Sequence, residues 1–346
     1  MKKICYINGR YLTNKISGGV KRFAIEVVKR LKEETNDIEF IVLCPKDAII
    51  PSDKKGITYK KIGFFKDNLW EQISLAIFMR FHKGYLFNPC NSYPILINKN
   101  VVVFHDARPK EEINDGIVTK TAKKFDYMLS KSIKKKNLIF TDSNFSKKRI
   151  MDLYKCDGDN IKILRLGYEH CIINSNSILD ERLESLIKKE YYLTVNSISK
   201  HKNMSFIYSL AKLHTDKLFY VIGKQFDSVL DEIPSNLVFL GKLSDSVMAE
   251  FYKNSLGFIS PSLYEGFGLT PLEALYYGCP TIYLSDIEVF REIFSLVAVF
   301  FDPYNYEKFE FIEKKINDED RKKVLNNYNW TNCVKDILEG LNCLKW

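Results

Sequence analysis

The strongest constraint on the fold is an alternation that runs nearly the whole length of the chain, in which short, unbroken apolar runs take turns with amphipathic helical stretches. VVVF at 101–104 contains no polar position, so the strand it forms has both faces covered, as in a parallel sheet packed by helices. Similar strands are predicted at 2–7 (KKICYI), 39–44, 85–89, 101–106, 138–143 and 162–167. Helices are predicted around 69–82, 118–136 and 146–155. A further helix follows Gly18-Gly19, where Phe23, Val27 and Leu31 make one stripe. A polar stretch at 171–190 interrupts the pattern, which then restarts: strands at 191–197, 218–223, 237–241, 256–260 and 280–284, with helices at 202–213 and 245–254. The expected class is α/β, with two Rossmann-like parallel-sheet domains. Their predicted bounds are 1–170 and 191–326, joined by a linker at 171–190. An amphipathic helix over 327–346 is expected to cross back to the first domain. A chain of 346 residues suits two such cores.

Charge divides unevenly between the halves. Residues 1–170 hold 33 Lys and Arg against 19 Asp and Glu, a balance of +14, whereas residues 171–346 carry −5. The richest segment, Lys120 to Ile150, reads either as a solvated helix face or as a surface for anionic membrane. No nucleic-acid-binding module accompanies it, so nucleic acid is not an expected partner. No apolar run reaches the ~18 residues of a membrane span, and the first residues pass straight into a strand without a signal-type apolar region. The expected location is cytoplasmic. The eight cysteines show no Cys-x-x-Cys pair and read as reduced and structural.

Residues Ser260 to Glu273 (SPSLYEGFGLTPLE) carry the clearest chemistry. A strand runs into a turn containing Gly266 and Gly268, then into a helix whose N-cap and first residue are predicted to be Thr270 and Pro271. Such a helix start offers N–H donors and partial positive charge to a phosphate. Thr270-x-x-Glu273 also fits a capping box, in which Glu273 only bonds back to its own helix. Helix-end electrostatics supply at most ~2 kcal/mol, while a micromolar ligand needs ~8. Other residues must therefore share the task.

Seven ordered segments together resemble the retaining glycosyltransferases of family 4, also called group 1, which have the GT-B architecture of two Rossmann-like domains facing each other across a cleft. They are YINGRYLTNKISGGVKRFAIEVVKRL near the start, LWEQ at 69–72, VVVFHDARP at 101–109, FTDSNFSKKRI at 140–150, SISKHKN at 197–203, PSLYEGFGLTPLEALYYGCPTI at 261–282, and the NYNW helix. The resemblance implies that Glu265 contacts donor-sugar hydroxyls and Glu273 the ribose. Backbone at Gly266, Phe267, Gly268, Leu269 and Thr270 would meet the diphosphate, Gly18 and Gly19 would let it approach, and Lys202 would bind phosphate. His105 would orient the sugar, with Asp106 and Arg108 offered to the acceptor. Many members carry an arginine where this chain has Asn196 and His201, so Lys200, His201 or Lys224 is the expected substitute.

The implied reaction is retaining transfer of a sugar from a nucleotide-diphosphate donor to a glycan acceptor on a lipid diphosphate, in surface polysaccharide synthesis such as O-antigen, capsule or exopolysaccharide. Helix end and lysine would stand in for a metal, so neither metal nor cofactor is expected. The protein would sit peripherally on the inner face of the membrane. Two alternatives stay open: a non-catalytic carbohydrate-binding protein, or another GT-B enzyme such as a nucleotide-sugar epimerase.

Overall fold

The computed structural model describes all of the chain except residues 1–2, 15, 17, 36, 173–180, 197–198, 224–232 and 313. The chain forms two compact units, Met1–Leu166 with Asn329–Trp346, and Gly167–Tyr328. Among the described residues, no helix is long and apolar enough to cross a membrane.

The first unit is built on seven parallel strands: β1 (Lys3–Asn8), β2 (Ile38–Cys44), β3 (Thr58–Lys61), β4 (Tyr85–Asn88), β5 (Asn100–Val103), β6 (Leu138–Thr141) and β7 (Ile161–Ile163). Their order is β3-β2-β1-β4-β5-β6-β7. Every residue of β5 and β6 is buried, which explains why those runs lack polar alternation. β3, with the sequence TYKK, was not predicted. It is an edge strand whose lysines face solvent, so it carries little apolar signal. The helix expected around 69–82 is a composite of Asp67–Leu69, a π-helical turn Trp70–Leu75 and Ala76–Phe81.

The helix Trp330–Asn342 belongs to this unit. Trp330 is fully buried, with its ring 6.1 Å from that of Phe23. Asp336 accepts from the Arg165 backbone N–H at 3.0 Å and from its guanidinium. Gly340 lies so close to β6 that a Cβ there would come within 2.5 Å of Phe140.

The second unit has six parallel strands: β8 (Tyr192–Val195), β9 (Phe219–Ile222), β10 (Leu237–Gly241), β11 (Gly257–Ser260), β12 (Ile282–Ser285) and β13 (Ala298–Phe301). They are ordered β10-β9-β8-β11-β12-β13. An aromatic cluster that includes Phe206, Phe219, Tyr283, Phe301 and Phe309 fills one face. Strand β13 and the helices Glu288–Phe294 and Asp318–Asn327 were not predicted. Part of the expected linker is the helix Glu181–Ile187. In each sheet the strand order reverses beside the unit's first strand, between β1 and β4 and between β8 and β11. In open parallel sheets, ligands bind outside the carboxyl ends of the strands at such a point.

Candidate active site

Strand β11 delivers Ser260 to the carboxyl edge of the second sheet, and the turn beyond it holds Glu265. The carboxylate accepts from Ser262 Oγ at 2.8 Å and from Lys202 Nζ at 2.5 Å. Burial alone would raise its pKa. Lys202, Ser262 and the nearby His201 outweigh that and hold it below the ordinary glutamate value. Lys202 is not on a helix from 202 to 213, as expected from sequence. It ends a 3-10 turn, Lys200–Lys202, and the helix starts at Met204. Asn203 between them takes the left-handed conformation at φ 52°, which asparagine tolerates better than most residues. Its side chain donates to the Pro303 carbonyl. The Leu263 N–H donates to the His201 carbonyl at 2.7 Å. These bonds fix the turn against the loop, and so the cation against the carboxylate.

The helix after the turn starts two residues earlier than its sequence suggests. It runs Leu269–Tyr276 with Gly268, not Thr270, at the N-cap. Gly268 has φ 114°, and a Cβ there would approach Phe290 to 2.8 Å, so only glycine makes this entry without strain. The capping box is not formed, because the Glu273 carboxylate goes elsewhere. Oε1 lies 3.0 Å from His170 Nε2, and Oε2 accepts from the Tyr252 hydroxyl at 3.2 Å. Burial and the Glu273 charge push the Tyr252 pKa well above its ordinary value, which keeps that hydroxyl a donor. Sequence reasoning missed His170 and Tyr252, which are 103 and 21 residues from Glu273 and belong to no local motif.

Asn196 stands at the end of β8, with its backbone N–H on the Ile222 carbonyl. Its side-chain Nδ2 is buried and has no hydrogen-bond partner among the described residues. Lys200 is exposed, and Lys224 lies outside the described residues.

His105 follows β5 in the first unit. Its Nδ1 is 3.0 Å from Asp142 Oδ2 and its Nε2 is 3.2 Å from the Pro89 carbonyl, so acceptors face both ring nitrogens. Burial would lower its pKa. Asp142 and the Pro89 carbonyl outweigh burial and raise it, favouring the doubly protonated ring. Asp106 caps the next turn, accepting from the Arg108 N–H at 3.1 Å, and Arg108 pairs with Glu112. Burial is the main cause of a raised Asp106 pKa. Gly18 opens the helix Gly18–Glu34 at φ 68°, and a Cβ there would meet nothing within 4 Å. At Gly18 the constraint is backbone conformation and not crowding.

Among the described residues, His170, Cys171 and Glu273 are the one group of three that could hold a metal ion, with ligand atoms within 4.8 Å of one another. The direct His170–Glu273 contact accounts for their closeness without one. Two Asp-x-Asp spacings serve local structure instead. Asp157 accepts from the Asp159 N–H in an exposed turn, and Asp318 and Asp320 lie in the first turn of a helix capped by Asn317.

Residues 178–329 match the family model described as glycosyl transferases group 1. The O-antigen chain mannosyltransferase RfbU of Salmonella typhimurium is 25% identical over 291 residues, covering 81% of this chain and 78% of that protein. The O-antigen chain mannosyltransferase B of Escherichia coli is 24% identical over 375 residues, covering 94% and 96%. The structure of HepE from Anabaena, solved with UDP and glucose, superposes with a TM-score of 0.71 at 13% identity, covering 99% of this chain and all of that one. Two parallel Rossmann-like sheets give the chain the GT-B fold, and its second unit carries the match to the group 1 glycosyl transferases that the chain resembles.

Proposed function

We propose that the protein transfers a sugar with retention from a nucleotide-diphosphate donor to a lipid-linked glycan acceptor during O-antigen-type polysaccharide synthesis. The observation that carries this reading is the Lys202–Glu265 pair beside the start of the helix Leu269–Tyr276. A cation able to meet phosphate and a carboxylate able to accept from sugar hydroxyls meet across two adjoining turns, and a second carboxylate, Glu273, is held by two donors one turn into the helix.

In the proposed reaction the bond from the anomeric carbon to the diphosphate oxygen breaks, and the acceptor oxygen bonds the same face of that carbon. The acceptor proton passes to the departing phosphate, so no separate base is required. Negative charge builds on the leaving group, and Lys202 with the leading N–H groups of Leu269 and Thr270 would stabilise it, work that elsewhere falls to a metal. Asn196, Lys200 and His201 would complete the phosphate surroundings. Lys202 must loosen from Glu265 as donor enters, which leaves that carboxylate to the sugar. His105 would turn its Nε2 from the Pro89 carbonyl to a sugar hydroxyl. Asp106 and Arg108 would serve the acceptor.

Attachment to an anionic membrane is part of the same proposal. The basic helix Lys120–Lys134 supports it, as does an apolar stripe at four-residue spacing, Leu69, Ile73, Ile77 and Phe81, exposed by 36–77% and flanked by Lys66, Arg80 and Lys83. Equal binding to anionic and neutral vesicles, with no salt dependence, would end this part of the reading.

The names of the relatives make a mannosyl donor the first to test. Melting temperature should rise with one member of a panel of UDP-, GDP-, dTDP- and CMP-sugars, since ligand at 100 times its Kd adds ~2.7 kcal/mol. Slow hydrolysis of that donor should disappear in Glu265→Ala. No shift with any donor would sink the donor site, and a shift without turnover would identify a binding protein.

A further inference from the structure

Two sequence motifs, INGR at 7–10 and LWEQ at 69–72, have no part in the donor chemistry, yet the fold brings them together. Glu71 is fully buried. Its Oε1 accepts from Asn8 Nδ2 at 2.9 Å and Ser92 Oγ at 2.8 Å, and its Oε2 from Arg10 at 3.2 Å and Gln72 Nε2 at 3.3 Å. Asn8 also donates to Asn88 at the end of β4. This network therefore stands at the carboxyl ends of β1 and β4, the point where the first sheet reverses its strand order. Gln72 holds the loop that carries Ser92, donating to the Tyr93 carbonyl and accepting from the Ile95 N–H. Trp70 anchors the same segment through the Ile62 carbonyl. Trp70, Glu71 and Gln72 all lie in the π-helical turn, a rare form that is frequent at functional sites.

What the network holds in place is Arg10. Its guanidinium donates to Asn68 at 2.8 Å, to Glu71, and to Ser92 at 2.7 Å. An arginine has five N–H donors, so two are unclaimed among the described residues. Arg10 lines a pocket of about 290 Å³ together with Ile16, Asp67 and Asn68. That volume is at the small end of the ~300–1,000 Å³ typical of ligand sites and suits one ring. Among the described residues, both signs of charge stand in and behind the pocket: Arg10 and Lys124, which donates to Asn68, and Glu71 and Asp67. With the Asn68 oxygen already taken by Arg10 and Lys124, the unclaimed guanidinium N–H groups, the Asp67 carboxylate and the Ile16 C–H face give the pocket the mixed donor, acceptor and apolar lining of a site for a ring bearing hydroxyls.

We infer that this pocket binds an uncharged sugar ring of the acceptor glycan, with Arg10 as its principal donor and Glu71 as the residue that positions Arg10. The inference rests on the transferase reading for the word acceptor only, since sugar binding itself is measured without a donor. The test is saturation-transfer NMR on the full chain with methyl α-mannoside as probe and inorganic pyrophosphate as the anionic alternative. Wild type is expected to show transfer to the mannoside ring protons. Arg10→Lys and Asn68→Ala, each confirmed to melt like wild type, should reduce it at least fivefold, while Lys253→Met, on an exposed helix face of the second unit, should not change it. A wild-type signal that persists in both variants would overturn the assignment. So would no signal with the mannoside, or binding of pyrophosphate alone. If no nucleotide sugar shifts the melting temperature but the Arg10-dependent mannoside signal remains, the donor reading fails and the sugar pocket stands.

Discussion

The turn around Glu265 and the network around Glu71 solve one problem, holding a carboxylate away from bulk water, by opposite means. Glu265 keeps a single lysine that is 22% exposed and can be shared with a ligand. Glu71 has four donors, no exposure, and an arginine already committed to two other groups. The first arrangement can open when a substrate arrives. The second is a scaffold that fixes where Arg10 points.

The largest test of that contrast is stability. Glu71→Ala leaves Arg10 partly buried without its counter-charge and should cost about 3–5 kcal/mol. Glu265→Ala, whose lysine can turn to solvent, should cost well under that while removing turnover. Urea denaturation of the two variants separates them, and equal losses would show that the turn is as rigid as the network. An intermediate effect is expected at Gly268. Alanine there combines left-handed backbone strain of about 1–3 kcal/mol with the clash on Phe290, and should lower the midpoint of the second unit. A melting curve like that of wild type would mean the helix entry adjusts freely.

The smallest effect concerns His105. Its raised pKa means that its contribution to stability is complete below the ordinary histidine value. That contribution is lost as pH rises through the higher folded value. Asp142→Asn removes the main cause of the raise and leaves burial to dominate, so the ring should titrate lower than in wild type, a change readable from its Cε1 proton. An unchanged midpoint would show that the Pro89 carbonyl and the Asp106 charge sustain the raise without Asp142.

The same contrast explains what was legible in the sequence. Glu265, Gly268 and Glu273 lie within nine consecutive residues, so one turn and one spacing carried their chemistry. Even there the helix entry was misread, because Thr270 and Pro271 look like a cap while the left-handed Gly268, hemmed in by Phe290, takes that position. Arg10 and Glu71 are 61 residues apart, and only the pairing of β1 with β4 makes them neighbours. His170 reaches Glu273 from 103 residues away, at a position read as the end of the first domain and not as part of the second. The unbroken apolar strands announced the sheets. Edge strand β3 stayed hidden because its lysines face water, where no apolar pattern is needed.

The return of the helix Trp330–Asn342 to the first unit sets an order of events during synthesis. Phe23 and Phe140 leave the ribosome long before Trp330 and Gly340, their packing partners, have been made. At about 5–20 residues per second, that wait lasts on the order of ten to sixty seconds. The second unit is one continuous stretch and can finish within it. The half of the protein that begins first is thus completed last, and a chain cut short by twenty residues would leave its apolar seam open to whatever protein is nearby.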